Sequence, residues 1–416
     1  MTAENKKCVL GSLIEMQKGY AFKSNWYSDS GRKIVKVSNF TENSVEASQL
    51  VRIPESIAEE YSRYKLKRGD VIVQTVGSWP SSPKSVVGKA VRIPNEVDGA
   101  LLNQNAVKLV PRDKLDRGFL FYLLQSERFK NYIVGTAQGA AKQASITLDS
   151  IRNFSLSLPK LSVQRKIAAI LSEVDHSIEK SREIVGQTQQ LKKGLMQQLL
   201  TRGIAHTAFK LTEVGEIPEE WEIFSLGGVA EVSGGATPST KIVDYWNGEI
   251  PFVTPTDVTN LEDGNTLTST EKSITKAGFN SISAKCVPAG SVLVTSRATI
   301  GKCCINAIPV VTNQGFINLV CKSELYNFYA LYLARSLKKE FERLSDGSTF
   351  RELARKSARK VRIALPPLSE QKKSASILLT LDEKIKAEKQ RNELLHYLKR
   401  GLADALLTGK VRVKVT

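Results

Sequence analysis

Apolar positions three and four residues apart run through two long proline-free segments, 160–201 and 368–408. This spacing is typical of a helix with one apolar stripe, and its length favours a coiled coil. Forty residues at 1.5 Å each make a rod of roughly 60 Å. We therefore predict one long helix in 158–203 and a second in 365–416 with a short tail. They should pack through a seam of Leu171, Val174, Ile178, Leu191, Leu195, Leu199, Leu378, Leu381, Ile385, Leu398, Leu402 and Leu406.

The two segments are copies of each other. LPKLSVQRKIAAILSEVDHSIEK at 158–180 returns without a gap as LPPLSEQKKSASILLTLDEKIKA at 365–387, and the LKKGL and LKRGL that follow keep this displacement. Ser162 and Ser369 are placed to cap the two helices. Gly194 and Gly401 cost about 1 kcal/mol each inside a helix, so we expect a close approach at both.

The blocks before the helices, 1–157 and 204–364, also correspond, but their displacement drifts. Short apolar or alternating runs such as VIVQTV and SVLVTS are bounded by Gly, Pro, Asn and Ser. This is strand chemistry, interrupted by only a few helices, notably around 117–134 and 326–345. We predict an α/β (α+β) domain with a twisted mixed sheet in each block, hence a pseudo-two-fold internal repeat. The segment 210–227 is predicted to be a polar linker anchored by Trp221.

The charge points to a polyanionic partner. Sixty Lys and Arg against 42 Asp and Glu give a net charge of +18, which favours nucleic acid but does not separate DNA from RNA or an anionic membrane. No apolar run approaches the roughly 18–20 residues that span a bilayer, and the first residues lack a signal core. We expect a cytoplasmic protein.

Residues typical of catalysis and metal binding are sparse. The five cysteines form no C-x-x-C pair and are expected to be reduced, mostly buried thiols. The histidines His176, His206 and His396 have no carboxylate or cysteine at ligand spacing, so we interpret them as solvated. Gly88-Lys89 and Gly301-Lys302 lack the rest of a phosphate loop and are predicted to lie in turns. We expect no catalytic residue and no metal site.

Four stretches together carry a family resemblance. They are GGATPSTKIVDYWNGEIPFVTPTDV (234–258), GSTFRELARKSARKVRIALPPLSEQKK (347–373), the paired LP-x-L-S-x-Q openings and KRGLADALLTGKVRV (399–413). With them, the chain resembles over essentially its whole length the specificity (S) subunit of a type I restriction-modification system.

The resemblance implies a non-catalytic, phage-defence DNA-recognition subunit. Each block would be a target-recognition domain reading one half of a split double-stranded DNA site. The two helices would pair antiparallel, separate the domains and dock two methyltransferase (M) subunits, with ATP-driven restriction (R) subunits completing the complex. This chain itself would bind no cofactor; S-adenosylmethionine, ATP and Mg²⁺ are expected on the partners.

The first block departs from the family pattern. Its start, KGYAFKSNWYSDSGRKIVKVSNF, lacks the TPS signature, and GTAQGAAKQASITLDSIRNF replaces the GSTFRE stretch. Two unlike domains imply two different half-sites and therefore an asymmetric target. An adaptor that binds RNA or protein through its repeated blocks remains an alternative.

Loops rich in Lys, Arg, Ser, Thr, Asn and Gln are the candidates for contact with DNA, because these side chains reach phosphates and base edges. The basic stretch 335–363 is the strongest of them, ahead of 135–145 and 76–89. Paired amides after two strands, Asn103-Gln104 and Asn313-Gln314, either support loops or read bases. The candidate DNA-binding residues are Lys23, Trp79, Ser81, Ser82, Lys84, Lys89, Gln138, Lys142, Gln143, Ser145, Thr237, Ser239, Lys241, Thr256, Arg297, Lys302, Ser348, Thr349, Arg351, Arg355 and Lys356.

Overall fold

The computed structural model describes residues 6–79, 86–139, 143–261, 265–346 and 351–414. The chain divides into two compact units. Unit 1 comprises residues 1–180 and 392–416, and unit 2 comprises residues 181–391. Each unit therefore contains one α/β block and part of both long helices.

Unit 1 begins with the strands β1 (Lys6–Val9), β2 (Ile14–Lys18), β3 (Arg32–Val35), β4 (Arg52–Ile53), β5 (Val71–Gln74), β6 (Val76–Gly77), β7 (Ala90–Arg92), β8 (Leu101–Leu102), β9 (Ala106–Pro111), β10 (Ala144–Ser145) and β11 (Ser155–Leu158). Its helices are α1 (Glu55–Glu60), α2 (Arg117–Gln125), α3 (Glu127–Thr136), α4 (Leu148–Arg152) and the first part of α5 (Leu161–Thr201).

Unit 2 contains the strands β12 (Phe209–Thr212), β13 (Gly215–Pro218), β14 (Glu222–Ser225), β15 (Ala230–Gly234), β16 (Trp246–Val253), β17 (Thr266–Leu267), β18 (Lys272–Ile274), β19 (Val292–Thr295), β20 (Cys303–Asn306), β21 (Val311–Thr312), β22 (Phe316–Cys321), β23 (Ser345–Asp346), β24 (Glu352–Leu353) and β25 (Arg362–Leu365). Its helices are α6 (Leu226–Val229), α7 (Pro255–Thr259), α8 (Lys276–Asn280), α9 (Asn327–Ser336), α10 (Lys338–Arg343), α11 (Arg355–Lys360) and most of α12 (Leu368–Leu407).

Each unit contains a mixed sheet, as predicted, although the four-stranded sheet of unit 1 is entirely antiparallel. In unit 1 the order is β2-β9-β5-β7, beside a three-stranded sheet β4-β3-β8 in which β3 and β8 are parallel. In unit 2 the order is β15-β22-β19-β20-β17, beside β18-β16-β21 with a parallel pair β16 and β21. The central strands β5 and β19 are buried along their whole length, which explains their continuous apolar sequence.

One helix hairpin covers the sheet in each unit. Asp116 caps α2 by accepting the Phe119 amide, and Ser126 stops α2 and caps α3 by accepting the Phe129 amide. The apolar face of α2 enters the unit 1 core, as that of α9 enters the unit 2 core. Helices are therefore present around 117–134 and 326–345, as expected, and each of these regions contains a pair.

The long helices run antiparallel within both units. Successive residues of α5 contact residues of α12 whose sequence numbers become lower. Contacts between the two helices include Asp175 with Lys399 and Ile178 with Asn392 in unit 1, and Ser181 with Glu388 and Lys192 with Asp382 in unit 2.

The seam repeats every seven residues but differs from the predicted one at two places. Leu191 and Leu398 are 54% and 48% exposed, so they lie outside it. Lysine stems at the next position take their place, because each ammonium group reaches a carboxylate of the opposite helix. The repeating positions are Gln164, Leu171, Ile178, Val185, Lys192 and Leu199 in α5, and Gln371, Leu378, Ile385, Asn392, Lys399 and Leu406 in α12.

The predicted helix caps were also wrong. Helices α5 and α12 begin at Leu161 and Leu368, so Ser162 and Ser369 lie inside the first turn and not at its cap. A Cβ atom at Gly194 or Gly401 would meet no heavy atom of the described chain within 4 Å.

The expected linker 210–227 forms the β12–β13 hairpin and the strand β14. Strand β14 pairs with β25. Trp221 is completely buried, as its proposed anchoring role requires.

The cysteines differ in exposure. All five are reduced thiols: Cys303 and Cys304 are buried, Cys8 and Cys321 are partly buried, and Cys286 is the exposed exception to the expectation of mostly buried thiols. Burial raises the pKa of the Cys304 thiol to about 12. Within the described ranges no helix is long and apolar enough to cross a membrane.

Candidate DNA interface

In unit 2 the loops predicted to meet DNA lie at one edge of the five-stranded sheet. Strands β15 and β19 end there, and β22, their antiparallel neighbour, begins there. The backbone joins the loops directly. The Ala236 amide donates to Thr312 O at 3.0 Å, the Ser296 amide to Gly315 O at 2.8 Å and the Leu353 amide to Ser296 O at 2.9 Å. We call this group of loops, 235–242, 296–301, 313–315 and 351–353, the unit 2 loop edge.

Polar side chains are paired along the unit 2 loop edge. The Thr237 hydroxyl donates to Gln314 Oε1, and Arg297 Nη2 donates to Glu352 Oε2 at 2.8 Å. The side chains of Arg297 and Glu352 remain 44% and 43% exposed, so this ion pair is accessible to a ligand. An exposed pair contributes little to stability, about 0–1 kcal/mol, and can exchange its partner for a phosphate at little cost.

Helix α11 adds basic side chains beside β15. Arg359 Nη2 donates to Val232 O at 2.8 Å, and Gly234 leaves room for Arg355, whose Cδ would lie 2.9 Å from a Cβ there. Arg355, Lys356 and the preceding Arg351 are exposed. The described parts of this stretch, 335–346 and 351–363, are therefore a succession of short elements that present a basic surface next to the loops.

Unit 1 has a corresponding edge built from other side chains. The Thr75 amide donates to Asn105 O, and the Ile146 amide donates to Thr75 O, both at 2.9 Å. Gln138 and Ser145 exchange two backbone hydrogen bonds of 2.9 and 2.8 Å, and β6 pairs with β10 beside them. We call the group 19–23, 75–79, 103–105 and 138–145 the unit 1 loop edge, within the described residues.

An aromatic cluster beside Lys23 was missed from the sequence. The rings of Tyr20 and Tyr61 lie 4.5 Å apart, and Trp26 lies 5.7 Å from Tyr61. The Lys23 ammonium lies 5.4 Å from the centre of the Trp26 ring. The interleaving of aromatic and basic residues in GYAFKSNWY was the signal for this surface.

Several candidate residues lie away from the two edges or contact their own unit. The Lys89 amine donates to Phe40 O at 3.3 Å, and burial lowers its pKa, although Glu42 acts in the opposite direction. Trp79 is half-buried against the unit 1 core, whereas Gln143 is exposed.

In unit 2, Thr256 is exposed on α7 and Lys302 is exposed after the turn at Gly301. Lys241 is exposed in the loop after β15, and the Ser239 carbonyl accepts from Trp246 Nε1 at 3.1 Å. Six further candidates lie outside the described residues: Ser81, Ser82, Lys84, Lys142, Ser348 and Thr349.

The paired amides have separate roles in unit 2. Asn313 Oδ1 accepts the Gly315 amide at 2.9 Å and supports the loop, whereas Gln314 is exposed and accepts from Thr237. Gly88 and Gly301 have φ of +80° and +83°, as turn positions before Lys89 and Lys302 require.

Two histidines have carboxylate partners that the sequence did not reveal. His206 Nε2 lies 3.1 Å from both Glu370 oxygens, and His396 Nδ1 lies 3.6 Å from Glu42 Oε1. Both pairs join segments distant in the sequence, so spacing could not indicate them. In the part of the chain that the structure describes, no group of three His, Cys, Asp or Glu is placed to hold a metal ion.

Comparison with known proteins agrees with this arrangement. The family model of the type I restriction modification DNA specificity domain matches residues 3–185 and 218–397. The putative type I restriction enzyme MjaX specificity subunit of Methanocaldococcus jannaschii is 27% identical over 389 residues, which cover 92% of this chain and 88% of that protein. The MjaIX specificity subunit of the same organism is 39% identical over 191 residues, 45% of this chain and 44% of that protein.

Solved structures show the same fold. The S subunit of a type I restriction-modification system from M. genitalium aligns over 100% of this chain and 98% of its own, with a TM-score of 0.59 and 17% identity. A chain from a study of complex assembly and conformational transition of the type I R-M system aligns over 99% of both chains, with a TM-score of 0.61 and 20% identity. Two matches of the family model, one in each half of the repeat, place this chain in the family of type I restriction-modification specificity subunits.

Proposed function

We propose that the two loop edges read the two halves of a bipartite, asymmetric duplex DNA target. The observation that carries the proposal is that the same set of loops recurs at the same sheet edge in both units with unlike side chains. Thr237 and Arg297 line the unit 2 edge, while Tyr20 and Gln138 belong to the unit 1 edge; the Asn-Gln pair is common to both edges. Different side chains at equivalent positions select different bases, so the two half-sites should differ.

The net charge of +18 supplies affinity, and the loops supply discrimination. Lys and Arg contacts to phosphates release counterions and carry no sequence information, whereas polar side chains in a groove distinguish base pairs. The chain then contributes recognition only. We place it in the cytoplasm and assign S-adenosylmethionine, ATP and Mg²⁺ to partner subunits.

The test of DNA recognition is selection of randomised duplexes by the full chain at several salt concentrations. We expect enrichment of one split, non-palindromic sequence. The alternative, an adaptor for RNA or protein, predicts that no split sequence is enriched. That result would overturn the proposal.

Single substitutions locate the interface on unit 2. Arg351→Ala and Lys356→Ala should each weaken binding to every duplex and reduce the slope of log K against log[salt] by about 1. Lys386→Ala, which changes an exposed lysine on α12, is the matched control and should leave the slope unchanged. Wild-type slopes for both Arg351→Ala and Lys356→Ala would show that this surface does not touch DNA.

We further propose that the exposed faces of the long helices dock two methyltransferase subunits, which in turn bring the restriction subunits. In unit 1, α12 exposes Leu394, Tyr397 and Leu398 by 69%, 73% and 48%, beside the uncovered Gly401. Contiguous exposed apolar side chains around a glycine suit close helix packing. In unit 2 the repeat provides the uncovered Gly194.

Docking can be tested at one face at a time. Gly401→Arg and Gly194→Arg should each leave one methyltransferase subunit bound by native mass spectrometry, and the double variant none. Each new side chain enters open space, so the chain itself should fold as before. Gly186→Arg is the control, because Gly186 is equally uncovered but is not repeated in the second helix. Two subunits bound to both single variants would contradict the assignment.

A further inference from the structure

A buried carboxylate joins four elements in unit 2. Asp382 of α12 is 9% exposed and accepts from Tyr332 Oη of α9 at 2.6 Å. It also accepts from Asn265 Nδ2, in the loop before β17, at 2.9 Å. Lys192 of α5 donates to its second oxygen. One side chain therefore holds both long helices, the covering helix and a loop of the sheet.

Unit 1 repeats this arrangement at the equivalent residue. Asp175 of α5 accepts from Tyr122 Oη of α2 at 2.7 Å and from Asn43 Nδ2 at 3.4 Å. The Lys399 ammonium of α12 lies 2.7 Å from its Oδ1. The helix that provides the carboxylate and the helix that provides the lysine have exchanged places, as an internal two-fold repeat requires. We call each set of Asp, Lys, Tyr and Asn a latch.

Each latch extends into the covering helix through its asparagine. Asn265 Oδ1 accepts from Arg335 Nη1 at 2.7 Å, and Asn43 Oδ1 accepts from Gln125 Nε2 at 2.9 Å. Arg335 and Gln125 occupy equivalent positions of α9 and α2. The same geometry is thus kept with different donors.

The asparagine also connects each latch to the sheet. The Ile305 amide of β20 donates to Asn265 O at 2.8 Å, and the Arg92 amide of β7 donates to Asn43 O at 3.0 Å. A rotation of the α/β block on its helices would have to break these directional hydrogen bonds together.

Such a network is a poor way to gain stability alone. Apolar side chains of similar volume are often as stabilising as a buried ion pair, but they allow neighbouring elements to slide or rotate. Hydrogen bonds to a buried carboxylate act only in one geometry. The occurrence of the same set in both units points to a role in orientation.

We propose that Asp175 and Asp382 are positioning residues that set the angle between each recognition domain and its helices, and so restrict the spacer length in the DNA target. The inference rests on the DNA function proposed above. One added base pair moves a half-site by roughly 3.4 Å and turns it by roughly 35°. A domain held at one angle cannot follow that turn, whereas a loosened domain can.

The experiment presents the full chain with duplexes that carry both selected half-sites and spacers of every length within four base pairs of the preferred one. Asp382→Asn and Asp175→Asn remove the charge and keep the shape. Asp404→Asn changes an exposed aspartate on α12 and is the matched control. Tyr332→Phe and Tyr122→Phe remove one hydroxyl each, and they provide variants with intact packing should an asparagine variant fail to fold.

Wild type and Asp404→Asn should prefer one spacer by about tenfold or more over its neighbours. The latch variants should keep both half-site sequences but bind neighbouring spacers within about threefold of the best one. An unchanged spacer profile in the folded Asp and Tyr variants would overturn the inference while leaving DNA recognition intact. If wild type enriched no split sequence, the proposed function would fail and this inference with it.

Discussion

The replacement Gln371→Ala tests how the long helices hold the covering helices. Gln371 lies in the first turn of α12 and is 1% exposed. Its Nε2 donates to Glu324 O and Pro366 O, and its Oε1 accepts the Tyr326 amide, each at 2.9 Å. One amide side chain therefore satisfies three backbone groups in the loop before α9 and at the start of α12.

Unit 1 contains the same device. Gln164 Nε2 donates to Lys114 O at 3.0 Å and Pro159 O at 2.8 Å, and its Oε1 accepts the Asp116 amide at 2.8 Å. The two glutamines are equivalent positions of the LP-x-L-S-x-Q repeat. Gln164→Ala should therefore behave like Gln371→Ala, but in unit 1.

Alanine at position 371 would leave the three backbone groups without partners. A hydrogen bond contributes about 1 kcal/mol net, and an unsatisfied buried group costs at least as much. We expect the opening free energy around the start of α9 to fall by about 3 kcal/mol. Exchange of the Tyr326 amide with deuterium should accelerate about 100-fold. Hydrogen exchange read by mass spectrometry resolves this locally and does not require two-state unfolding of the whole chain.

The control is Gln190→Ala, which changes an exposed glutamine on α5 and should shift stability by less than about 0.5 kcal/mol. Gln371→Glu sharpens the test. A carboxylate can accept the Tyr326 amide but cannot donate to the two carbonyls, so at neutral pH exchange of the Tyr326 amide should be faster than in wild type. In acid the protonated carboxyl can donate to one carbonyl, so the exchange rate relative to wild type at the same pH should fall. Less than threefold acceleration in Gln371→Ala would refute the reasoning.

Three further substitutions probe the contact between the long helices and its surroundings. Burial alone would raise the pKa of Asp382, but hydrogen bonds led by those from Lys192 and Tyr332 outweigh it and hold this pKa below its usual range. A lowered pKa stabilises the fold above the unfolded carboxyl pKa, and this contribution is lost as pH falls through the folded value. In chemical denaturation, the free energy of unfolding of Asp382→Asn should be about 3 kcal/mol lower than that of wild type near pH 7, and this difference should narrow below about pH 5. The same difference in unfolding free energy at pH 3 and at pH 7 would contradict this. Leu402→Asp should lower the free energy of unfolding by about 3 kcal/mol, because Leu402 packs against the unit 1 core. Leu398→Asp, at a 48% exposed position, should lower it by less than about 0.5 kcal/mol. Equal losses of unfolding free energy in the two variants would show that the seam is misassigned.

The order of the apolar and polar positions predicted much of the fold. A gapless repeat over the long helices, beside a drifting one in the blocks, indicated two like domains and a constant helix pair. Strand chemistry around β5 and β19 was strong because both strands are buried on both faces. Two of the four stretches that carry the family resemblance, 234–258 and 347–373, include residues at or beside the unit 2 loop edge, whereas the other two lie at the ends of the long helices.

Hydrophobicity alone chose the wrong seam residues at Leu191 and Leu398. Lysine is classed as polar in a hydrophobic pattern. The aliphatic stems of Lys192 and Lys399 nevertheless lie in the seam, because their ammonium groups pair with Asp382 and Asp175 of the opposite helix. The glycines at 194 and 401 were interpreted as costly positions that some surface approaches closely, and the described chain itself covers neither of them. A sequence pattern shows that a residue is unfavourable in a helix, but it does not show which surface packs against that residue.

The sequence by itself determined the internal repeat, the two long helices, the net charge and the presence of Lys, Arg and polar side chains that can contact a polyanion. These are properties of residue order, because helical and strand periodicity and net charge need no knowledge of distant partners. Only the tertiary structure decided that Asp382 meets Lys192, Tyr332 and Asn265, and that Gln314 meets Thr237. Such contacts join residues tens to nearly two hundred positions apart, and a directional hydrogen bond depends on where the folded backbone places both ends.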